Sequence, residues 1–138
     1  ARKEGGSAEG AREEALQLAY SALETASRGE GGDGPERFIR RAALLLITAA
    51  SDEGDPDAVE TARQLLIADP SPQVRSAAAS AYAILSPSSE AAVFVLCDAL
   101  LTDEDPAVLA ACASALPGAM PAERDRVALL SLQSLEGA

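Results

Sequence analysis

Two runs of carboxylates are the densest chemistry-bearing features of this 138-residue chain, Asp52-Glu53-x-Asp55-x-Asp57 and Asp103-Glu104-Asp105. Clustered carboxylates can hold a divalent cation or serve in acid–base catalysis. The first run lacks the 12-residue loop with a central Gly and a closing bidentate Glu that a calcium site requires. Both runs stand where helices are expected to start, and acids there cap free amides and offset the helix dipole. The chain has no His, which removes the commonest general base and the imidazole metal ligand. No catalytic residue, metal or cofactor is therefore expected.

The two cysteines, Cys97 and Cys112, do not make a disulfide framework at this length. If they lie on antiparallel helices joined near Glu104, they come roughly opposite one another. Cys112 falls on an apolar stripe, where a small buried thiol is the expected reading. Cys97 falls at a polar position, and a disulfide or a reactive thiol remains the alternative, although no basic neighbour in sequence would lower its pKa. No imidazole exists to complete a nucleophilic triad. Arg37, Arg40 and Arg41 recur at i, i+3 and i+4, an Arg-rich face able to receive an acidic peptide, phosphate or carboxylate. Pairing with Glu36 or with acids of neighbouring helices is the alternative. The stretch Gly29-Glu30-Gly31-Gly32-Asp33-Gly34 reads as a loop. It follows no strand and no Lys-Ser/Thr closes it, so it is not a phosphate cradle.

The elements that must position these residues are helical. Apolar residues make up 48% of the chain, yet aromatics are only 3% and Trp is absent, so bulk comes from Leu, Ile and Val while Ala permits close helix approach. Eleven basic residues face twenty-two acids, for a net charge of −11. Phosphate backbones and anionic membranes require clustered cations, so neither is an expected partner, and a basic protein is favoured electrostatically. No apolar run reaches membrane-spanning length and no signal peptide is visible, which makes the cytoplasm the default location.

Proline punctuates the chain. Pro35, Pro56, Pro72, Pro87, Pro106 and Pro121 stand at expected helix starts, several behind a capping residue: Asp55, Ser71, Ser86 and Asp105. Proline suits the first helical position because its φ is already helical and its missing N–H has no partner there. A polar, Gly-rich segment over 1–10, expected to be flexible, precedes a helical domain over 11–138. Seven helices are predicted within it, at 11–28, 35–51, 56–68, 72–85, 87–102, 106–116 and 121–136. The phrase LIADPSPQVRSAAASAY at 66–82 returns 34 residues later as LLTDEDPAVLAACASAL. Ile39-Arg40-Arg41-Ala42-Ala43 is a weaker copy, shifted by 35. A helix–turn–helix phrase at fixed spacing marks a stacked repeat. The fold expected is all-α, an α-solenoid of about three helix pairs plus a terminal helix.

Leu66-x-x-Asp69-Pro70-x-Pro72-x-Val74-Arg75-x-Ala77-Ala78-Ala79-x-Ala81 resembles a HEAT repeat, in particular the short, alanine-rich kind also found in phycobilin-lyase-type proteins. The second copy keeps Leu100, Leu101, Asp103, Pro106, Val108, Ala111, Ala113 and Ala115 but has Leu109 where the family prefers Arg. Tetratricopeptide repeats share the period without this pattern, and armadillo repeats are a near neighbour. The resemblance implies a curved stack of hairpins that binds other proteins. It also implies a ladder of turn Asp and early Arg between repeats, making Asp69 and Arg75 structural and leaving Asp103 without an Arg of its own. The absence of His argues against the di-iron hydroxylase branch of that fold.

Departures from the repeat locate the candidate partner surface. Where the third helix has Glu60, Thr61 and Arg63, the fifth has Phe94, Val95 and Cys97. Either this face is packed by the seventh helix, or it is offered to a partner. Phe94, Val95, Cys97, Leu109, Arg37, Arg40 and Arg41 are the candidate protein-binding residues. The function expected is a non-catalytic interaction or scaffold module. The alternatives are an acidic inhibitor or immunity-type protein that occupies a basic partner, and a bilin-lyase-like enzyme component. Nothing in the residues sets the oligomeric state.

Overall fold

A computed structural model describes residues 4–28 and 34–121, with side chains from residue 8 onward. Six helices follow in order: α1 (Glu4–Ser27), α2 (Glu36–Ala50), α3 (Pro56–Ala68), α4 (Pro72–Leu85), α5 (Glu90–Thr102) and α6 (Pro106–Ala119). The described residues contain no strand. The predicted seventh helix and most of the Gly-rich loop lie outside them.

Successive helices pair as antiparallel hairpins, α1–α2, α3–α4 and α5–α6, and the hairpins stack. The second helix of each pair forms the tighter layer, since α4 packs against both α2 and α6. In the other layer α3 and α5 barely meet. The stack therefore curves with α2, α4 and α6 on its inner side.

Local chemistry explains the helix starts. Asp55 accepts from the amide of Ala58 at 3.0 Å, Ser71 from Val74 at 3.5 Å, and Asp105 from Ala107 and Val108 at 2.9 and 3.3 Å. In each case Pro occupies the next position. The core is aliphatic and alanine-rich. Leu44, Ile47, Leu66, Leu85, Leu96, Val74 and Val108 are fully buried among Ala58, Ala62, Ala78 and Ala92. Each large aliphatic side chain so buried contributes about 1.5–3 kcal/mol.

Three boundaries differ from expectation, each for a physical reason. α1 begins at Glu4 rather than 11, its glycines lowering helix propensity without ending the helix. α5 begins at Glu90 rather than at Pro87, because Ser89, not Ser86, caps it by accepting from Ala92 at 3.1 Å. Pro87 belongs to the turn, and Ser88 there has φ +55°. α6 runs through Pro117 to Ala119. Its last turn is held from outside, because the carbonyls of Gly118 and Ala119 accept from the amides of Ser88 and Ser89 at 3.4 and 2.8 Å.

Candidate functional site

The most elaborate polar arrangement lies at the edge of the stack where each hairpin turns. Arg40 of α2 reaches across to the α3–α4 turn, donating to both carboxylate oxygens of Asp69 at 2.8 and 3.1 Å and to the carbonyl of Ala26 at 3.2 Å. One unit later, Arg75 of α4 donates to Asp103 at 2.8 and 3.3 Å and to the carbonyl of Asp69 at 2.8 Å. Each Asp also accepts the amide two residues on, Ser71 for Asp69 and Asp105 for Asp103. This is a two-rung ladder in which the Arg of one unit meets the Asp of the next. Bidentate guanidinium–carboxylate pairs fix orientation as well as supplying charge-assisted bonds.

The ladder corrects two expectations. Arg40 does not belong to an exposed Arg face: it is buried with Asp69. Asp103 is not left without an Arg, since Arg75 of the preceding unit supplies it. Leu109, half-buried at the ladder position of α6, marks where the rungs stop. Toward the first unit, the Ala26 carbonyl faces Arg40 as that of Asp69 faces Arg75.

Burial pushes the Asp103 carboxyl up, but the Arg75 guanidinium and the Asp105 amide outweigh it and leave the group below its ordinary value. A cleft of about 560 Å³ opens beside this rung, lined by Asp69, Arg75, Asp103, Glu104 and Asp105. Its carboxylates are engaged structurally. Asp69 and Asp103 hold arginines, and Asp105 caps α6. Among the described residues no group of three His, Cys, Asp or Glu is placed to hold a metal ion.

The remaining candidates are dispersed. Arg37 is half-buried, donating to the side-chain oxygen of Gln73 at 2.8 Å and to the carbonyl of Gly34 at 3.1 Å, with its guanidinium 4.3 Å from the centre of the Phe38 ring. Arg41 is exposed. Cys112 is buried and Cys97 exposed, and both are free. Burial, followed by the nearby Asp103 charge, raises the Cys112 thiol to about 11, so it is inert as a nucleophile at neutral pH. On α5, Val95 is half-buried and packs against the core. Phe94 remains 75% exposed. Sequence reasoning missed Leu101, which is 85% exposed one heptad beyond Phe94. It was read as part of the repeat phrase, although Ile67, its counterpart in the preceding unit, is exposed as well.

No described helix is long and apolar enough to cross a membrane. No curated protein and no solved structure matches the chain. The HEAT-repeat family, whose members are generally protein-interaction scaffolds, matches residues 33–131. That match spans the Arg–Asp ladder and most of the hairpins that carry it. The chain belongs to the HEAT-repeat family.

Proposed function

We propose that the chain is a non-catalytic protein-interaction module whose partner docks on the outer face of α5. The observation that carries this reading is the exposed apolar ridge of Phe94, Cys97 and Leu101. Spacings of i, i+3 and i+7 place the three on one side of the helix. In the preceding unit the first two positions hold Glu60 and Arg63, an exposed ion pair that suits water. Substituting Phe and Cys for such a pair leaves apolar area in solvent with no gain to the hairpin itself. A partner that buried Phe94 and Leu101 would recover about 1.5–3 kcal/mol from each.

Exposed Glu90 and Asp98 flank the ridge. The complementary surface is therefore an apolar pocket with a basic rim, which keeps the expectation of a basic protein partner while assigning the energy to apolar contact. Leu109, at the ladder position of α6, and Arg37 and Arg41, on α2, are not part of this ridge. The acidic-inhibitor alternative rests on net charge, and two of the carboxylates in the turn cleft are already committed to arginines. An exposed free Cys97 suits a reducing compartment, and we place the interaction in the cytoplasm.

The test compares proteins retained by the wild-type chain with those retained by Phe94→Glu and Leu101→Glu. Loss of a specific partner with unchanged melting supports the ridge. Retention of the same partner by both variants overturns it. Salt separates the alternatives, since charge-driven capture weakens steeply with ionic strength and apolar docking does not.

A further inference from the structure

We propose that residues 122–138 form a helix that lies along the free side of α6 and closes the C-terminal end of the stack. That side of α6 is apolar. Leu109, Ala113, Leu116 and Met120 recur at i, i+4, i+7 and i+11, with Pro117 beside them, and these spacings share one face of a helix.

Comparison with the preceding unit shows that this face lacks a cover. Ala79, Tyr82 and Ala83 of α4 correspond to Ala113, Leu116 and Pro117 of α6 at the 34-residue period. The three in α4 are buried, whereas Ala113 and Pro117 are exposed and Leu116 is half-buried. α6 packs against α4, with Gly118 set close on Ala83. Among the described residues no element packs on the far side of α6 in its turn.

The sequence that follows supplies the occupant. The chain leaves α6 through Met120, on this same side, so its next residues start within reach. Asp55 stands three residues before buried Ala58 and seven before buried Ala62, and it caps α3 through the Ala58 amide. Ser89 stands at the same distances from buried Ala92 and Leu96 and caps α5 through the Ala92 amide. Asp125 repeats this relation with Ala128 and Leu132, and Leu135 follows at the place of buried Ala99. The pattern of a capped helix with one apolar stripe is therefore present a third time.

Charge favours the same segment. From residue 76 to residue 121 the chain has no Lys or Arg, against Glu90, Asp98, Asp103, Glu104 and Asp105. Arg124 and Arg126 are the next cations in sequence, just past the end of α6. The last turn of α6 carries no basic residue, and the C-terminal end of a helix attracts one.

The described units decide where such a helix lies. α5 barely meets α3 or α4, so a helix in the corresponding place after α6 would by itself leave its own stripe and the side of α6 bare. Laid antiparallel on α6, stripe and side cover one another. Leu132 and Leu135 then face the small Ala113 and the flat Pro117, large against small as close packing requires.

Hydrogen exchange of the 138-residue chain tests the proposal. Amides over 128–135 should exchange at least about tenfold more slowly than in the Leu132→Glu variant, and equally so at low and high protein concentration. Ala113→Glu, at an exposed position outside the core, should speed the same amides while the protection of α4 and α5 is kept. Phe94→Glu, on α5, should leave them unchanged. Rapid exchange over 128–135 in the wild-type chain overturns the proposal. So does protection that appears only where the chain self-associates, or protection that survives Ala113→Glu. Protection abolished by Phe94→Glu also overturns it, and would instead place the segment on the α5 ridge.

Discussion

A guanidinium buried as deeply as that of Arg40 is stable only while its inward-pointing donors have acceptors. Asp69 meets that need with both oxygens, and the Ala26 carbonyl adds a third acceptor. Removing the carboxylate therefore costs more than the pair itself is worth. Asp69→Ala is expected to destabilise the fold by about 3–5 kcal/mol, measured by denaturant unfolding. Replacing both members by apolar residues of similar size should cost much less, because no buried charge is stranded. The role of Arg40 was legible in the sequence, since its own phrase aligns it with Arg75. Its spacing from Arg37 and Arg41 suggested a surface face instead. Periodicity along one helix cannot tell which member of an i, i+3, i+4 set turns inward. The exposure of Leu101 was hidden for a related reason, because a repeat phrase records similarity between units and not which side of each unit faces water.

At the scale of elements, helix starts were readable wherever a capping Ser or Asp stood directly before Pro, as at Asp55, Ser71 and Asp105. Pro87 misled because Ser86 precedes it in the same way, yet the chain makes a tight turn there before Ser89 caps α5. The physical reason lies in the repeat. Gly54 and Ser88 are 34 residues apart, at equivalent places before α3 and α5, and both have positive φ, +80° and +55°. Each also donates its amide to the end of the second helix of its unit, Gly54 to the carbonyl of Leu85 at 2.7 Å and Ser88 to that of Gly118 at 3.4 Å. Glycine adopts this conformation freely and a side chain does not. Ser88→Gly is expected to raise stability by up to about 1 kcal/mol. Gly54→Ala should lower it by about the same amount, although an added Cβ there would meet nothing within 4 Å. Melting temperatures of the two variants would check both signs, and equal shifts in the same direction would contradict the equivalence.

For the molecule as a whole, stacked pairs, an inner layer of α2, α4 and α6, and an aliphatic core were all legible from the recurring phrase. What covers each end was not, because the phrase is silent about end units, and the seventh helix predicted for the C-terminal end lies outside the described residues. The two long edges of the stack are held by different chemistry. At one edge the Arg–Asp rungs tie unit to unit, and at the other neutral amide-to-carbonyl bonds such as Ser89 to Ala119 close each hairpin on itself. Acid should act on them unequally. The Asp103 carboxyl titrates below its ordinary value, so its contribution is present above the ordinary carboxylate range and is lost as pH falls through the lowered value. Asp103→Asn should remove that part of the acid dependence of melting.

A stack whose units are latched by charge at their turns and packed together through α4 and α6 resembles a book with a clasp and a spine. Opening the Arg75–Asp103 clasp would leave the packing of α4 on α6 closed, so α5–α6 would swing against α3–α4 rather than detach. Solvent acidity would thereby be converted into curvature. Small-angle scattering across that pH range should register a change in radius of gyration ahead of any loss of helix, and simultaneous change of both would mean that the clasp and the α4–α6 packing yield together.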